Sequence, residues 1–134
     1  MRLEVTRRSE LAVRALTTLA AAPGRMKAPA LADALGTTAA FVPQVVGPLV
    51  KAGWVRSDPG PTGGYALHVS LESINVLQVV EALDGAVDTG RCVVETRTCN
   101  SAAPCMMHVA WSRARSELER VLGDLPLTDL TDLT

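Results

Sequence analysis

The run Asp58-Pro-Gly-Pro-Thr-Gly-Gly64 restricts this chain more than any other stretch, because five of its seven residues are glycine or proline. No helix passes through such a segment: proline lacks the amide donor, and glycine is the next most costly residue in a helix interior. Short β-prone runs flank it at 54–57 and 65–69, so the segment predicts a two-stranded hairpin.

The residues ahead of the hairpin read as three helices. A first helix is expected over 6–22, with Leu11, Ala15, Leu16, Leu19 and Ala20 on one face and Pro23-Gly24 closing it. Arg7, Arg8 and Arg14 then face solvent. A second, short helix is expected over 29–35, with Pro29 in its first turn and Gly36 as a left-handed stop. Thr37 or Thr38 is expected to cap the third, in which Phe41, Val45 and Leu49 recur every fourth residue before Gly53 ends it. Pro43 is tolerable near a first turn, whereas Pro48, after Gly47, is expected to kink or split the helix. Two helices joined at Gly36-Thr37-Thr38 and followed by a hairpin describe a winged helix-turn-helix domain over 1–85 in a mainly α protein.

Charge supports that reading once the chain is divided. The formal net charge is -1. Residues 1–69 nevertheless carry eight Lys or Arg against four Asp or Glu, and residues 70–134 carry five against ten. The hairpin therefore sits in the half that attracts an anionic partner.

After the hairpin, Asn75-Val-Leu-Gln78 forms a capping box for a helix that ends at Gly85. A cysteine-rich loop is expected over 86–106 and a long helix over 104–123, with Gly123 as its cap. In that helix Met107, Trp111, Ala114, Leu118 and Val121 are spaced 4, 3, 4 and 3, a heptad seam that calls for a partner helix and predicts a homodimer. The tail, 124–134, repeats Thr-Asp-Leu and is expected to be mobile or to lie loosely on the surface.

All three cysteines fall in the loop: Cys92, Cys99 and Cys105, separated by six and then five residues. An odd number excludes a closed set of internal disulfides and favours a reducing, cytoplasmic setting. His108 follows Cys105 by three residues, one helical turn on, and can face the same point. Three thiolates and an imidazole suffice for an iron–sulfur cluster or tetrahedral zinc, and unligated redox-active thiols also remain open. The apolar run of 11–22 is interrupted by Arg14, against a secretory signal, and no run approaches the roughly 20 apolar residues of a membrane helix. No residue trio suggests a substrate pocket, so an enzyme is not expected.

Ala52-Gly53-Trp54-Val55, followed by Gly60-Pro-Thr-Gly-Gly-Tyr-Ala-Leu67, resembles the wing signature of the Rrf2 family of bacterial transcription regulators. The opening Met1-Arg2-Leu3 and Glu81-Ala-Leu-Asp-Gly85 are also similar to that family's pattern, and the resemblance spans about 1–122. It implies that the third helix enters the major groove of double-stranded operator DNA while the wing reaches the neighbouring minor groove. Thr37, Thr38 and Gln44 are then candidate base readers, and Gln44 can pair bidentately with adenine. In the wing, Gly63 and Gly64, beside Thr62 and Tyr65, are expected to let the backbone approach DNA and donate amides to phosphates, with Arg7 and Arg8 as further phosphate contacts.

Cluster-binding members of the family carry three cysteines in this position, normally with gaps of five and five. The resemblance therefore implies an iron–sulfur cofactor, 2Fe-2S ahead of 4Fe-4S. In members that regulate cluster assembly the fourth ligand matches His108; in members that sense nitric oxide it matches Glu10, supplied by the other subunit. The function expected is a DNA-binding repressor whose operator affinity follows a cluster that senses redox state, nitric oxide, or iron and cluster supply. One alternative is a cluster-free regulator of the same fold that uses the thiols as a switch or a zinc site. A small iron–sulfur electron carrier is the other.

Overall fold

The computed structural model describes residues 3–132. Met1 and Arg2 of the quoted opening, and the last two residues of the tail, lie outside the described residues. Its elements are α1 (Arg7–Ala21), α2 (Ala28–Leu35), α3 (Val42–Lys51), β1 (Val55–Asp58), β2 (Gly64–Leu67), α4 (Val76–Asp84) and α5 (His108–Gly123), with short 3-10 turns at Leu71–Ser73 and Leu127–Asp132.

Helix α1 is the central post. It starts where Thr6 accepts the Ser9 amide, and it buries Leu11, Ala12, Ala15, Leu16 and Leu19. Ala20, expected on that face, is exposed, and Ala12 is the residue that completes the buried stripe. Around this stripe pack Leu31 and Leu35 of α2, Val42, Val45, Val46 and Leu49 of α3, and Val79 and Leu83 of α4. Small and medium aliphatics throughout allow close helix approach, as the scarcity of aromatics requires.

Helix α2 ends as expected, with Gly36 at φ 69 in the left-handed region. Helix α3 starts later than expected. Its N-cap is Phe41, and neither Thr37 nor Thr38 caps it. Instead the Thr37 amide donates to Ala32, and the Thr38 carbonyl accepts the Phe41 amide. The late start places Pro43 in the first turn, where its missing amide costs nothing. Pro48 stays inside α3 without splitting it. Gln44 can receive no bond from that position, and its carbonyl is left on an exposed face.

Strands β1 and β2 pair antiparallel with Val55 opposite Leu67 and Asp58 opposite Gly64. The far edge of β2 is also used: Tyr65 exchanges two backbone hydrogen bonds with Met26, at 2.8 and 2.9 Å. This contact explains Gly64, and the turn's own backbone explains Gly63. A Cβ on Gly64, at φ 137, would stand 2.7 Å from the Met26 carbonyl oxygen, and one on Gly63 would stand 2.0 Å from that of Asp58. The Gly63 amide is spent on Gly60 within the turn. The fold needs both glycines to close the hairpin, whatever the wing then touches.

Helix α4 carries the complete capping box, Asn75 with Gln78. Its far end is tied to the start of α1. Thr6 and Ser9 donate to the Asp84 carboxylate at 2.8 and 2.7 Å, and Arg8 donates to the Leu83 carbonyl. Arg8 therefore does not simply face solvent as expected: a helix C-terminus holds its guanidinium.

The tail also differs from expectation. Leu127 is fully buried, its amide donates to Ile74, and the Val76 amide donates to Leu125, so the chain end docks beside the start of α4. An apolar side chain at the right register outweighs the polar repeat around it. No helix among the described residues is long and apolar enough to cross a membrane.

Candidate functional site

Between α4 and α5 the chain makes an irregular loop that is folded on itself. The Val87 amide donates to the Glu81 side chain, which fixes the exit from α4. A tight reversal follows, in which the Cys92 amide donates to Arg97 at 2.8 Å and the Cys99 amide to Gly90 at 2.9 Å. These bonds bring Cys92 and Cys99 side by side although six residues separate them. Cys105 arrives from the other end of the loop, and the three sulfur atoms all lie within 4.8 Å of one another.

His108 stands beside this group through Cys99 and, like Glu10, is not among the donors that all lie within 4.8 Å of one another. Its Nδ1 is 3.2 Å from the Cys99 Sγ, and its amide donates to the Cys105 carbonyl. It is the first residue of α5, which starts at His108 and not at Pro104 as the sequence suggested. Residues 104–107 form the approach to the helix, and the first α-type bond runs from Trp111 to Met107. The histidine thus belongs to both the thiol group and the helix start.

The three thiols are not equivalent. The amides of Glu95 and Val94 point at the Cys92 sulfur from 3.3 and 3.4 Å and hold its pKa below the ordinary thiol value. Partial burial pushes Cys105 the other way, against a lowering contact from the Met107 amide. Sulfur and imidazole donors at these separations suit a thiolate-bound iron–sulfur centre or a single tetrahedral ion. Glu10, the other candidate ligand, is paired in this chain with Arg7 at 2.5 Å and Arg14 at 3.6 Å, and does not join the three-cysteine group.

Arg97 was missed by sequence reasoning. Its guanidinium donates to Glu95 at 2.5 Å, to the Thr98 carbonyl at 3.1 Å and to the Ala103 carbonyl at 2.8 Å. An arginine in an acidic half of the chain gave no signal, because its partners are mostly backbone oxygens.

The expected dimer seam lies along α5, none of whose residues is buried. Trp111, Ala114, Leu118 and Val121 line one wall of a groove of about 680 Å³, with Val87 and Val93 of the loop on another wall. Met107 is the N-cap of the helix and does not line this groove.

The candidate readers lie in the turn before α3, in α3 itself and in the wing. Thr38 and Gln44 are exposed and Thr37 is half-buried, in the turn and first turn of α3. Thr62 is exposed at the wing tip, and its carbonyl accepts a bond from Arg25. Tyr65 packs partly against the core. Three basic residues on these elements were not selected by the sequence reading: Lys51 is exposed at the end of α3, and Arg25 and Arg56 both pair with Asp58 at the turn end of the wing, at 3.0 and 3.3 Å. Arg7 is exposed and paired with Glu10.

Comparison with known proteins bears on the family and the fold. The family described as Rrf2, iron-dependent transcriptional regulator, matches residues 5–133. A Neisseria meningitidis protein named as an HTH-type transcriptional regulator is 29% identical over 132 residues, covering 97% of this chain and 88% of its own. The HTH-type transcriptional regulator IscR of Vibrio atlanticus is 31% identical over 100 residues, 75% of this chain and 57% of that protein. Among solved structures, the global cysteine regulator CymR of B. subtilis superposes with a TM-score of 0.75 at 23% identity, covering 99% of both chains. IscR of T. potens superposes at 0.70 with 24% identity, covering 96% of this chain and 86% of that one. With a winged fold and a family match over nearly its whole length, the chain belongs to the Rrf2 family of DNA-binding transcriptional regulators.

Proposed function

We propose that this regulator is a homodimeric repressor whose operator affinity is set by an iron–sulfur cluster held by Cys92, Cys99, Cys105 and His108. The observation that carries the reading is the convergence of three sulfurs within 4.8 Å, with His108 Nδ1 at 3.2 Å from one of them. A bound cluster supplies a reversible change of charge and of thiolate ligation. The family's description as iron-dependent supports an iron centre, and histidine beside cysteine is a ligand pattern of 2Fe-2S centres.

The chain's own residues carry the consequence. His108 is the first residue of α5, so whatever fixes the thiols to His108 also fixes the start of the helix that carries the dimer seam. Through α4, tied at Asp84 to Thr6 and Ser9, the same loop is linked to the start of α1 and so to the DNA-binding half. The candidate base readers are Thr37, Thr38 and Gln44 on the α3 side, and Thr62, Gly64 and Tyr65 in the wing are candidate phosphate contacts, from which Gly63 drops out because its amide is spent on Gly60. Arg7 and Arg8 lie near the helix-one start. A dimer places two such surfaces on half-sites about 34 Å apart, where a small change in separation weakens binding.

Anaerobic reconstitution tests this reading. The expected result is visible absorption with iron and sulfide in equal amounts, lost or shifted in His108→Ala, and an operator affinity that differs between loaded and cluster-free protein at matched salt. Equal affinities overturn the sensing role. A shifted spectrum in Glu10→Ala with none in His108→Ala moves the fourth ligand to the partner subunit.

A second reading has its own observation. Sulfurs around a single tetrahedral zinc, bound at about 2.3 Å, stand roughly 3.8 Å apart, and the three here already lie within 4.8 Å. Stoichiometric zinc without sulfide in protein purified anaerobically selects this reading.

A further inference from the structure

We propose that Arg97 is the positioning residue of the three-cysteine site: its guanidinium joins both gaps between the cysteines and keeps a positive charge beside Cys92 and Cys99. The inference rests on the reading of the loop as a metal centre, and it adds the device that shapes that centre.

The two gaps have little else in common. The first, between Cys92 and Cys99, is closed by its own backbone: Cys92 to Arg97 and Cys99 to Gly90. The second, between Cys99 and Cys105, is organised around Asn100, whose side chain accepts the amides of Ala102 and Ala103. Arg97 sits in the first gap and donates at 2.8 Å to the Ala103 carbonyl in the second, two residues before Cys105. The same nitrogen reaches Thr98 O at 3.1 Å, and Nε is held by Glu95 at 2.5 Å.

Each contact bears on a sulfur. The Glu95 amide is one of two that hold the Cys92 thiol, so the Glu95–Arg97 pair steadies the turn that carries this donor. The carbonyl of Arg97 receives the Cys92 amide. The guanidinium also interacts electrostatically with Cys92 and Cys99. Three thiolates drawn into one place repel one another, and a fixed cation offsets part of that repulsion. Arginine suits the task better than lysine, because its planar fork serves three acceptors at once.

The test uses full-length protein, wild type beside Arg97→Lys, Arg97→Gln and Glu95→Gln. Cobalt(II) titration of the metal-free protein, followed by thiolate-to-metal absorption, reads the preorganisation of the site. Supporting groups of this kind are worth about 10–100-fold in metal affinity, and the expected loss for both Arg97 variants lies in that range, with a smaller loss for Glu95→Gln. The reduction midpoint of the reconstituted protein separates charge from shape. It moves to more negative values in Arg97→Gln and stays with wild type in Arg97→Lys. A purely structural role would not split the two variants in this way. Thermal melts matching wild type show that the core is intact, since the loop lies outside it.

Cobalt affinity within twofold of wild type in both Arg97 variants overturns the proposal, as does a midpoint that shifts equally in both. A wild type that binds cobalt but takes up no iron and sulfide refutes the cluster reading alone, and the cobalt series still decides Arg97. A wild type that binds neither refutes both.

Discussion

Cys92 and Cys105 differ in one physical respect that a reagent can read. Two amides donate to the Cys92 sulfur and stabilise its thiolate, whereas burial favours the neutral thiol at Cys105. In metal-free protein, alkylation at rising pH therefore reaches Cys92 before Cys105, and mass spectrometry of partly labelled protein gives the order. All three thiols are half-buried, so access alone does not produce it. Labelling of Cys105 before Cys92 contradicts the hydrogen-bond geometry.

Glycines give a second contrast at this scale. Gly64 is strained for any other residue and faces the Met26 backbone. Gly64→Ala is expected to destabilise the fold by about 1–3 kcal/mol, seen as a lower melting temperature. Gly47, inside α3, has no atom within 4 Å of a Cβ position. Gly47→Ala is expected to stabilise the helix by up to about 1 kcal/mol. If α3 lies in a groove of DNA, the same substitution weakens operator binding, and a gel shift beside the thermal melt shows whether stability and affinity part company. The cysteines and His108 were legible as donors from spacing. That the thiols could face one point was also legible; the backbone bonds that bring them there and the contacts of Arg97 were not, since no pattern announces them. Arg8 was misread for a similar reason: its acceptor, Leu83, is 75 residues away in sequence.

At the scale of elements, periodicity located every helix, and the errors are in where two of them begin. At α3 the expected cap misled the reading: Thr37 or Thr38 was expected to start the helix, which begins after Phe41, while Pro43 is in a first turn as expected. At α5 a proline misled it: Pro104 was taken as a start, but the turn from Cys105 to His108 postpones the helix. Proline marks a first turn without saying which residue begins it. The tail was misjudged because a single buried residue carries it. Leu127 packs into the core cluster beside Ile74. Leu127→Ala is expected to cost about 2–5 kcal/mol, whereas truncating an unattached tail would cost nothing; denaturant unfolding with unchanged slope measures the difference. The tail also holds α5 at its far end, so the helix is anchored at both ends, at the thiol group and beside α4.

For the whole molecule, what decides the assembly is that α5 leaves its apolar seam uncovered. A helix with Trp111, Leu118 and Val121 in an open groove and no buried residue of its own supports the proposed interface with a second copy. Because those residues are not part of the monomer's core, Leu118→Glu is expected to leave the melting of the DNA-binding half unchanged while placing two like charges against each other across a two-fold axis. Sedimentation at micromolar concentration should then show a monomer where wild type is a dimer. Operator binding falls further than the loss of one contact explains, because two half-sites held together bind as one unit and separated ones do not. The salt slope should fall with it, since the number of phosphates neutralised per bound unit is halved. A Leu118→Glu protein that stays dimeric would move the interface off α5. The loop containing Cys92, Cys99 and Cys105 would then lose its structural route to the spacing of the recognition helices.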